Sequence, residues 1–276
     1  MKIRLITAAA IIAAGITILV VSGTIAYPII IALISGISVF EILRVLGYDK
    51  KLPIAIPAYL IALALPASAY FSIGGLVTYA ALLGAICYVY LLYMLVLSVL
   101  SKGKLKLSRM ATVFCTVTYV TLAYTAISAI RRLDNGLLCL MTIFVSSWIS
   151  DSFAFIVGKL IGKHKLIPEI SPKKTVEGCI GGIVFATIAM LVFGLVIDVF
   201  FNPIVVNYTV LSLMGLVLSI ISQVGDLVAS IIKREEGVKD YGNILPGHGG
   251  ITDRFDSVYT VAMLAFVVCA IFPPFV

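Results

Sequence analysis

A polar stripe runs along an otherwise apolar segment in the C-terminal half of the chain. Asp226 lies within a long hydrophobic run, where an ionisable side chain is costly and is a functional-site hypothesis by default. On a helix, residues three or four positions apart share one face. The polar residues with this spacing are Ser219, Ser222, Asp226, Ser230 and Lys233. We therefore expect this face to line a cavity or a protein interface, since contact with lipid would be unfavourable.

A glycine-rich loop and two carboxylates follow this stripe. The loop follows Lys239 and Asp240, and its glycines allow its backbone to approach a ligand closely. Its turn-forming residues are Gly242, Pro246, Gly247, His248, Gly249 and Gly250. Asp253 and Asp256 come next, and on a helix both could reach one hard cation, such as Mg²⁺ bound to substrate phosphates. Carboxylates for a metal and basic residues for phosphates are what phosphoryl-type transfer requires. Structural ion pairs, such as Asp253 with Lys239, would explain the charges but not the glycines or Asp226.

A second basic loop lies upstream, after Asp151, which is also inside an apolar run. Lysines, hydroxyls and glycines ahead of a helix suit a phosphate, because ammonium groups and free backbone N–H groups bind the anion. The residues concerned are Gly158, Lys159, Gly162, Lys163, His164, Lys165, Ser171, Lys173, Lys174, Thr175 and Gly178. A basic loop beside lipid headgroups explains them equally well, with His164 as a solvated cation. Asp151 has its own structural alternative, a contact with Ser147 one turn earlier.

The chain that carries these residues is strongly hydrophobic. Its 276 residues are 62% hydrophobic and 12% charged, with a mean hydropathy of +1.17. Soluble domains are about 45–50% apolar and about 25% charged, so the composition excludes a soluble globular protein and a disordered one. Five dispersed cysteines without a CxxC favour buried apolar thiols over a metal or disulfide role. We predict an all-α polytopic membrane protein.

Nine apolar runs are long enough to span a bilayer, which takes about 20 residues. They cover residues 5–21, 25–46, 52–71, 73–100, 110–130, 137–157, 180–200, 205–232 and 255–272. The first resembles a signal peptide, but we interpret it as a retained helix. A cytoplasmic N-terminus places every Lys and Arg except Arg131 and Arg132 on inner loops, as the positive-inside rule favours. The C-terminus is then predicted to lie outside. The glycine-rich loop and the upstream basic loop are predicted to face the cytosol.

The net charge of +7 fits this distribution of Lys and Arg, so we predict a lipid bilayer partner and no nucleic acid. We predict a single membrane domain, residues 1–276, in which residues 1–108 carry little chemistry. Residues 109–276 hold the catalytic helices and cytosolic loops. Glu41 and Arg44, three apart at the end of the second run, are interpreted as an interfacial ion pair.

The residues from Ser230 to Asp256 resemble the signature of the phosphatidate cytidylyltransferases, also called CDP-diacylglycerol synthases. The pattern is S-x-x-K-R-x4-K-D-…-P-x-H-G-G-x-x-D-R-x-D, and this chain fits it throughout. Trp148-x-x-Asp151 and the segment from Ser171 to Gly178 are also similar to features of that family. The resemblance covers about residues 148–256, whereas the first half matches only as generic transmembrane helices.

The resemblance implies an enzyme that converts CTP and phosphatidic acid to CDP-diacylglycerol and pyrophosphate and requires Mg²⁺, with a second cation left open. The metal ligands it implies are Asp226, Asp253 and Asp256. The catalytic set is Asp226, Lys239, Asp240, His248, Asp253, Arg254 and Asp256. The substrate-binding set is Asp151, Ser171, Lys173, Lys174, Thr175, Ser230, Lys233, Arg234, Gly249 and Gly250. His248 would hold a phosphate, protonate the leaving pyrophosphate or simply stabilise the turn.

Two alternatives remain open on sequence grounds. A CTP-dependent enzyme acting on an isoprenoid or ether lipid phosphate would carry the same headgroup motifs. An ion or anion transporter would use Asp151 and Asp226 as relay carboxylates, but it would need a polar path to the outer face. We expect a bacterial cytoplasmic (inner) membrane location, an active site facing the cytosol, and a cavity near Asp226 open to the bilayer. A homodimer is a hypothesis that the sequence does not show.

Overall fold

Helices form nearly all of the regular structure in the computed structural model, which describes residues 2–71, 75–201 and 203–276. Within these residues, eight helices are long and apolar enough to span a bilayer. They are α2 (Ala26–Val45), α3 (Leu52–Tyr70), α4 (Gly75–Leu100), α5 (Leu107–Ile130), α6 (Gly136–Ile161), α7 (Val176–Phe200), α8 (Tyr208–Glu235) and α9 (Thr252–Ile271). The prediction of an all-α polytopic membrane protein is confirmed.

The first of the nine predicted spans forms helix α1 (Lys2–Val20), which a short 3₁₀ turn (Val21–Gly23) follows. Among the described residues its apolar stretch, Ala13–Gly23, is shorter than a span, so α1 is not one of the eight. The predicted start of the fourth span at Ile73 lies outside the described residues. The orientation of the two termini stays a prediction.

Two of the spans end in the same hydrogen-bonded motif, each at a glycine with a positive φ. Gly47 follows α2 with φ of +76°, and the Tyr48 amide donates to the Leu43 carbonyl at 2.7 Å. Gly237, with φ of +68°, ends α8 by the same pattern. Glycine adopts this left-handed conformation without a steric penalty and satisfies the last carbonyls of the helix. These glycines therefore fix where the following loops begin.

The chain forms two compact units. One comprises residues 1–128 and 240–253, and within it α2 packs against α3. The other comprises residues 129–239 and 254–276, and within it α6, α7 and α8 pack against one another. The organisation as a single membrane domain stays a prediction.

Small residues allow the helices of the second unit to approach closely. A Cβ atom added to Gly182 on α7 would lie 2.7 Å from the Ser150 carbonyl oxygen of α6. A Cβ atom added to Gly215 on α8 would lie 2.8 Å from Thr187 Cα and 3.1 Å from Met190 Cβ, both on α7. Membrane helices associate largely through such close packing, because lipid offers little hydrophobic driving force. The glycines thus determine how near α6, α7 and α8 come to each other.

The loop between α6 and α7 folds into a β-hairpin that the sequence analysis did not predict. Strand β1 (Lys165–Ile167) pairs antiparallel with β2 (Ser171–Thr175), with Lys165 opposite Thr175. Strand β2 leads directly into α7, and the Thr175 hydroxyl accepts a hydrogen bond from the Gly178 amide at 3.2 Å. Such an N-cap satisfies one of the free N–H groups of the first turn. The hairpin is therefore joined rigidly to the start of α7.

We expect Gly215→Ala to lower the thermal stability of the purified protein, because the new methyl group would overlap Thr187 on α7. Overpacking of this kind typically costs about 1–3 kcal/mol. Gly84→Ala on α4 is the matched control, since a Cβ atom there would meet nothing within 4 Å. Thermal unfolding in detergent measures both variants, and equal midpoints would show that α7 and α8 are not in close contact at Gly215.

Candidate active site

Asp226 and Lys174 form an ion pair that brings together the two motif regions of the second unit. Lys174 is the penultimate residue of β2, and its Nζ lies 2.5 Å from Oδ2 of Asp226 on α8. The same Nζ lies 3.5 Å from the Gln223 carbonyl oxygen. The Lys174 and Asp226 side chains are 23% and 29% exposed, so the pair remains accessible to a ligand. The basic hairpin and the polar stripe therefore meet at one place.

A second lysine–carboxylate pair lies between α8 and α9. The Nζ atom of Lys233 is 3.6 Å from Oδ2 of Asp256, and these side chains are only 10% and 13% exposed. Asp256 also interacts electrostatically with Asp226. The two pairs therefore belong to one group of charges, in which Asp226 and Asp256 each have a lysine partner. We call Asp151, Lys174, Asp226, Lys233 and Asp256 the charge cluster.

Asp151 on α6 is the third carboxylate of the charge cluster. It hydrogen bonds with Ser257 on α9 and interacts electrostatically with Asp226 and Lys174. The alternative partner considered from the sequence, Ser147, is buried, and its hydroxyl has no hydrogen-bond partner among the described residues. The partner of Asp151 is thus on another helix rather than one turn earlier on its own. This contact draws α6 into the cluster.

The polar stripe of α8 faces protein, as its spacing predicts. Ser219 and Ser222 are fully buried, and Lys233 is 8% exposed. Apolar residues occupy the other face of the same helix, where Val224 is 50% exposed and Val228 is 38% exposed. Helix α8 thus presents an apolar face to lipid and a polar face to the charge cluster.

Gln223 is a residue of this site that the sequence analysis missed. Its Nε2 donates to Ser150 Oγ on α6 and to the Cys179 carbonyl on α7, both at 3.1 Å. A buried amide that binds across helices restricts how α8 can rotate, because its partners occupy fixed positions on two neighbours. Gln223 therefore helps to orient Asp226, which lies three residues further along α8. The signal that could have found it is this three-residue spacing.

The β-hairpin is anchored by Glu177 in the first turn of α7. The Glu177 carboxylate accepts the backbone amides of Lys163 and His164 at 3.1–3.3 Å, and its Oε1 lies 2.6 Å from the His164 ring Nδ1. His164 is solvent-exposed, as predicted, but it also has this acidic partner. The hydroxyl of Thr175 is used as the N-cap of α7. These contacts fix the strand from which Lys174 reaches Asp226.

In the first unit, Asp253 closes the glycine-rich loop. Its Oδ2 accepts hydrogen bonds from the amides of Tyr241 at 2.8 Å and Gly250 at 2.9 Å. Asp253 is 7% exposed. One carboxylate oxygen thus holds the two ends of the loop together, and the Gly250 amide is used within the protein. The roles predicted for Asp253 in metal binding and for Gly250 in phosphate binding stay predictions.

Two side chains of helix α2 also bind this loop. Glu41 accepts hydrogen bonds from the amides of Ile251 at 3.1 Å and Thr252 at 2.8 Å. Arg44 Nη2 donates to the Tyr241 carbonyl at 3.1 Å. The interpretation of Glu41 and Arg44 as an ion pair is therefore corrected. The two side chains share a face of α2, as their spacing indicates, but each binds the backbone of the loop.

His248 lies at the tip of the loop, between two glycines in the left-handed region. Gly247 has φ of +78° and Gly249 has φ of +82°, and the Leu245 amide donates to the Gly249 carbonyl at 2.9 Å. The Nδ1 atom of His248 is buried and has no hydrogen-bond partner within the described part of the chain. The tight turn accounts for the glycines, and the role of His248 stays a prediction.

The remaining predicted residues lie nearer the surface. Ser171 and Ser230 are partly exposed, and Arg234 donates from Nη1 to the Val238 carbonyl at 3.2 Å. The exposed members of the predicted sets are Lys173, Arg234, Lys239, Asp240 and Arg254. Among them, the long Lys and Arg side chains can reorient toward an anionic ligand, and the roles of all five residues stay predictions.

The carboxylates of the charge cluster suit a divalent cation that is held jointly by protein and substrate. Within residues 2–71, 75–201 and 203–276, no group of three or more His, Cys, Asp or Glu side chains is arranged to hold a metal alone. Mg²⁺ often binds instead through one or two carboxylates, with substrate phosphates and water completing its shell. Asp226 and Asp256, two neighbouring carboxylates matched by lysines, suit that arrangement.

Comparison with known proteins identifies the class. The family model described as the cytidylyltransferase family matches residues 2–272. The chain is 38% identical over 262 residues to a phosphatidate cytidylyltransferase of Bacillus subtilis, with 92% of each chain covered. It is 44% identical over 167 residues to the protein of that name from Staphylococcus haemolyticus, with 60% of this chain and 62% of the relative covered. A Staphylococcus epidermidis relative of the same name is 42% identical over the same length.

The spans and the family thus define a membrane-spanning, CTP-dependent nucleotidyltransferase. The chain belongs to the cytidylyltransferase family. This result agrees with the resemblance carried by residues 230–256.

We expect Lys233→Met to destabilise the protein, because Asp256 would keep a mostly buried carboxylate without its lysine partner. Breaking a buried pair from one side typically costs about 3–5 kcal/mol. Adding Asp256→Asn should restore part of the lost stability, since the uncompensated charge is removed. Lys174→Met is the control, because its pair is more exposed and should contribute less. Thermal unfolding in detergent of the two single variants and the double variant measures whether Lys233 and Asp256 are energetically coupled. Strictly additive effects of Lys233→Met and Asp256→Asn would show that they are not.

Proposed function

We propose that this chain transfers the cytidylyl group of CTP to phosphatidate, giving CDP-diacylglycerol and pyrophosphate. The observation that carries the proposal is the charge cluster, in which Asp226 pairs with Lys174 and Asp256 with Lys233 on the polar side of membrane helices. Relatives of this chain, one of them aligned over 92% of both sequences, are named phosphatidate cytidylyltransferases.

Both substrates are anionic, so the first task of the protein is to overcome their repulsion. The lysines of the cluster can exchange a carboxylate partner for a phosphate oxygen, because ammonium binds both through charge-assisted hydrogen bonds. The carboxylates released in this way are hard oxygen ligands. Mg²⁺ held by Asp226 and Asp256 would supply further neutralisation of the phosphates. The predicted second cation has no additional support.

The reaction forms a bond from a phosphatidate oxygen to the α-phosphorus of CTP and breaks the bond from that phosphorus to the pyrophosphate. The attacking phosphate is already ionised, so no general base is needed. Catalysis then rests on holding the two phosphates in line and stabilising charge on the leaving group. We assign the binding of the phosphates and the stabilisation of their charge to Lys174 and Lys233. Asp151 is itself held in place by its hydrogen bond with Ser257.

Access for the lipid follows from the two faces of α8. Phosphatidate must bring its phosphate to the charge cluster while its acyl chains stay in the bilayer. Asp226 lies on the polar face of α8, and the exposed Val224 and Val228 lie on its other face, so this one helix borders both the charge cluster and an exposed apolar surface. We propose that the lipid enters sideways along this helix. The distribution of Lys and Arg supports a cytosolic active site at a bacterial cytoplasmic membrane, where CTP is available.

The direct test is an assay of the purified protein in liposomes with labelled CTP, phosphatidate and Mg²⁺. We expect lipid-extractable cytidylate and an equal amount of pyrophosphate, and none when either substrate is omitted. Isoprenoid phosphate and ether lipid phosphate serve as competing acceptors. Product from one of these but not from phosphatidate would contradict the proposed acceptor, and no product from any would contradict the reaction class.

Asp226→Asn and Asp256→Asn should each lower turnover by roughly 100-fold or more, because charge stabilisation at the phosphates is lost. Asp198→Asn is the matched control, since Asp198 is exposed at the far end of α7 and its Oδ2 accepts from the Tyr208 hydroxyl. Its turnover should match that of the parent protein. Near-normal turnover in either cluster variant would show that the substituted carboxylate is not needed for the reaction.

Asp253→Asn tests whether this residue serves the loop or the metal. From its contacts with the amides of Tyr241 and Gly250, we expect lower turnover at an unchanged half-maximal Mg²⁺ concentration. Asp256→Glu, which moves a carboxylate within the cluster, should raise that concentration. Mg²⁺ titrations of the two variants give the comparison. A raised requirement in Asp253→Asn would instead establish Asp253 as a metal ligand.

A further inference from the structure

A buried carboxylate outside the motif region holds the glycine-rich loop in the first unit. Glu41 on α2 has no exposed surface. Its Oε1 accepts from the Ile251 amide and its Oε2 from the Thr252 amide, so each oxygen has its own donor. These donors belong to the free N–H groups at the start of α9, where the helix dipole also favours a negative charge. Within the part of the chain that the structure describes, two backbone amides thus compensate this carboxylate.

The loop is shaped to receive this side chain. A Cβ atom on Gly242 or on Gly250 would overlap the Glu41 carboxylate, so only glycine permits the approach at both positions. The Thr252 hydroxyl lies 3.3 Å from the Ser38 carbonyl, one turn before Glu41. Arg44, one turn after Glu41, binds the Tyr241 carbonyl. One face of α2 therefore contacts both ends of the loop.

This arrangement couples the loop to a rigid support. A buried charge that lost its amide donors would be strongly unfavourable, so the loop cannot leave α2 without exposing or stranding the carboxylate. The same loop carries His248 and Gly249, which belong to the predicted catalytic and phosphate-binding sets. Any displacement of its backbone would move these residues together.

We propose that Glu41 is a positioning residue for cytidylyl transfer: it holds residues 241–252 in the conformation that binds the phosphates of CTP. The inference rests on the proposed function. Glu41 acts through the backbone of the loop and does not touch the substrate. The loop carries His248 and Gly249 of the predicted catalytic and phosphate-binding sets, so we expect the effect to fall on the use of CTP.

The first test compares Glu41→Gln with Glu41→Asp. Gln keeps the size of the side chain, but its NH₂ group would face one of the two amide donors, so one hydrogen bond is lost. Hydrogen bonds to charged groups are each worth enough to change a binding constant by roughly tenfold or more. We expect the KM for CTP in Glu41→Gln to rise by about tenfold, with smaller changes in kcat and in the KM for phosphatidate. Glu41→Asp retains the charge and should recover part of the loss.

Ser35→Ala is the matched control. Ser35 lies on the same helix and is fully buried, and its hydroxyl has no hydrogen-bond partner among the described residues. Its kinetics should equal those of the parent protein. A similar rise in the KM for CTP would show that α2 is sensitive to any change and would overturn the specific role of Glu41.

Amide hydrogen exchange provides a readout that does not depend on activity. In Glu41→Gln, the amides of Ile251 and Thr252 should exchange faster, while those of α5 keep their protection. Parental KM and unchanged protection at both amides would overturn the proposal, as would faster exchange spread evenly over α2, α3 and α5. If the parent protein makes no CDP-diacylglycerol, the proposed function fails, and exchange still decides whether Glu41 holds the loop.

Discussion

An ionised side chain inside a membrane helix has little access to water, so most of its charge must be compensated within the protein. This constraint accounts for the main polar contacts of the structure. Asp226 and Asp256 each lie beside a lysine, and Glu41 takes two backbone amides. Because these partners come from different elements, satisfying each carboxylate also decides which helices and loops lie together.

The carboxylates fall into two kinds by the partner that compensates them. Asp226 and Asp256 face lysine side chains, which can turn away and take a phosphate oxygen instead. Glu41 and Asp253 face backbone amides, which cannot move without unfolding the loop. The first kind suits an exchange of partners during a reaction, and the second suits a permanent support. This difference is why we assign substrate binding to the charge cluster and a positioning role to the contacts of the loop.

Glycine has two uses in this chain, and they share a physical origin. On α7 and α8, Gly182 and Gly215 allow helices to approach until backbones touch. In the loop, Gly242 and Gly250 make room for the Glu41 carboxylate. The free N–H groups of a glycine-rich backbone can donate hydrogen bonds to any anionic oxygen that reaches them, whether it belongs to a ligand or to the protein. A sequence pattern that suggests a phosphate site can therefore mark a contact with the protein's own side chain.

Hydropathy predicted nine spans, and eight of them are long, apolar helices among the described residues. The spacing of three and four residues predicted that the face of α8 carrying Ser219, Ser222 and Asp226 turns away from lipid. Residues 230–256 alone indicated the family. These features are local, because helical geometry fixes which neighbours along the chain share a face. The partners of those faces could not be predicted in the same way. Glu41 meets Thr252 across 211 positions, and Gln223 binds atoms of α6 and α7. Such contacts depend on how helices pack, which spacing along one helix does not encode.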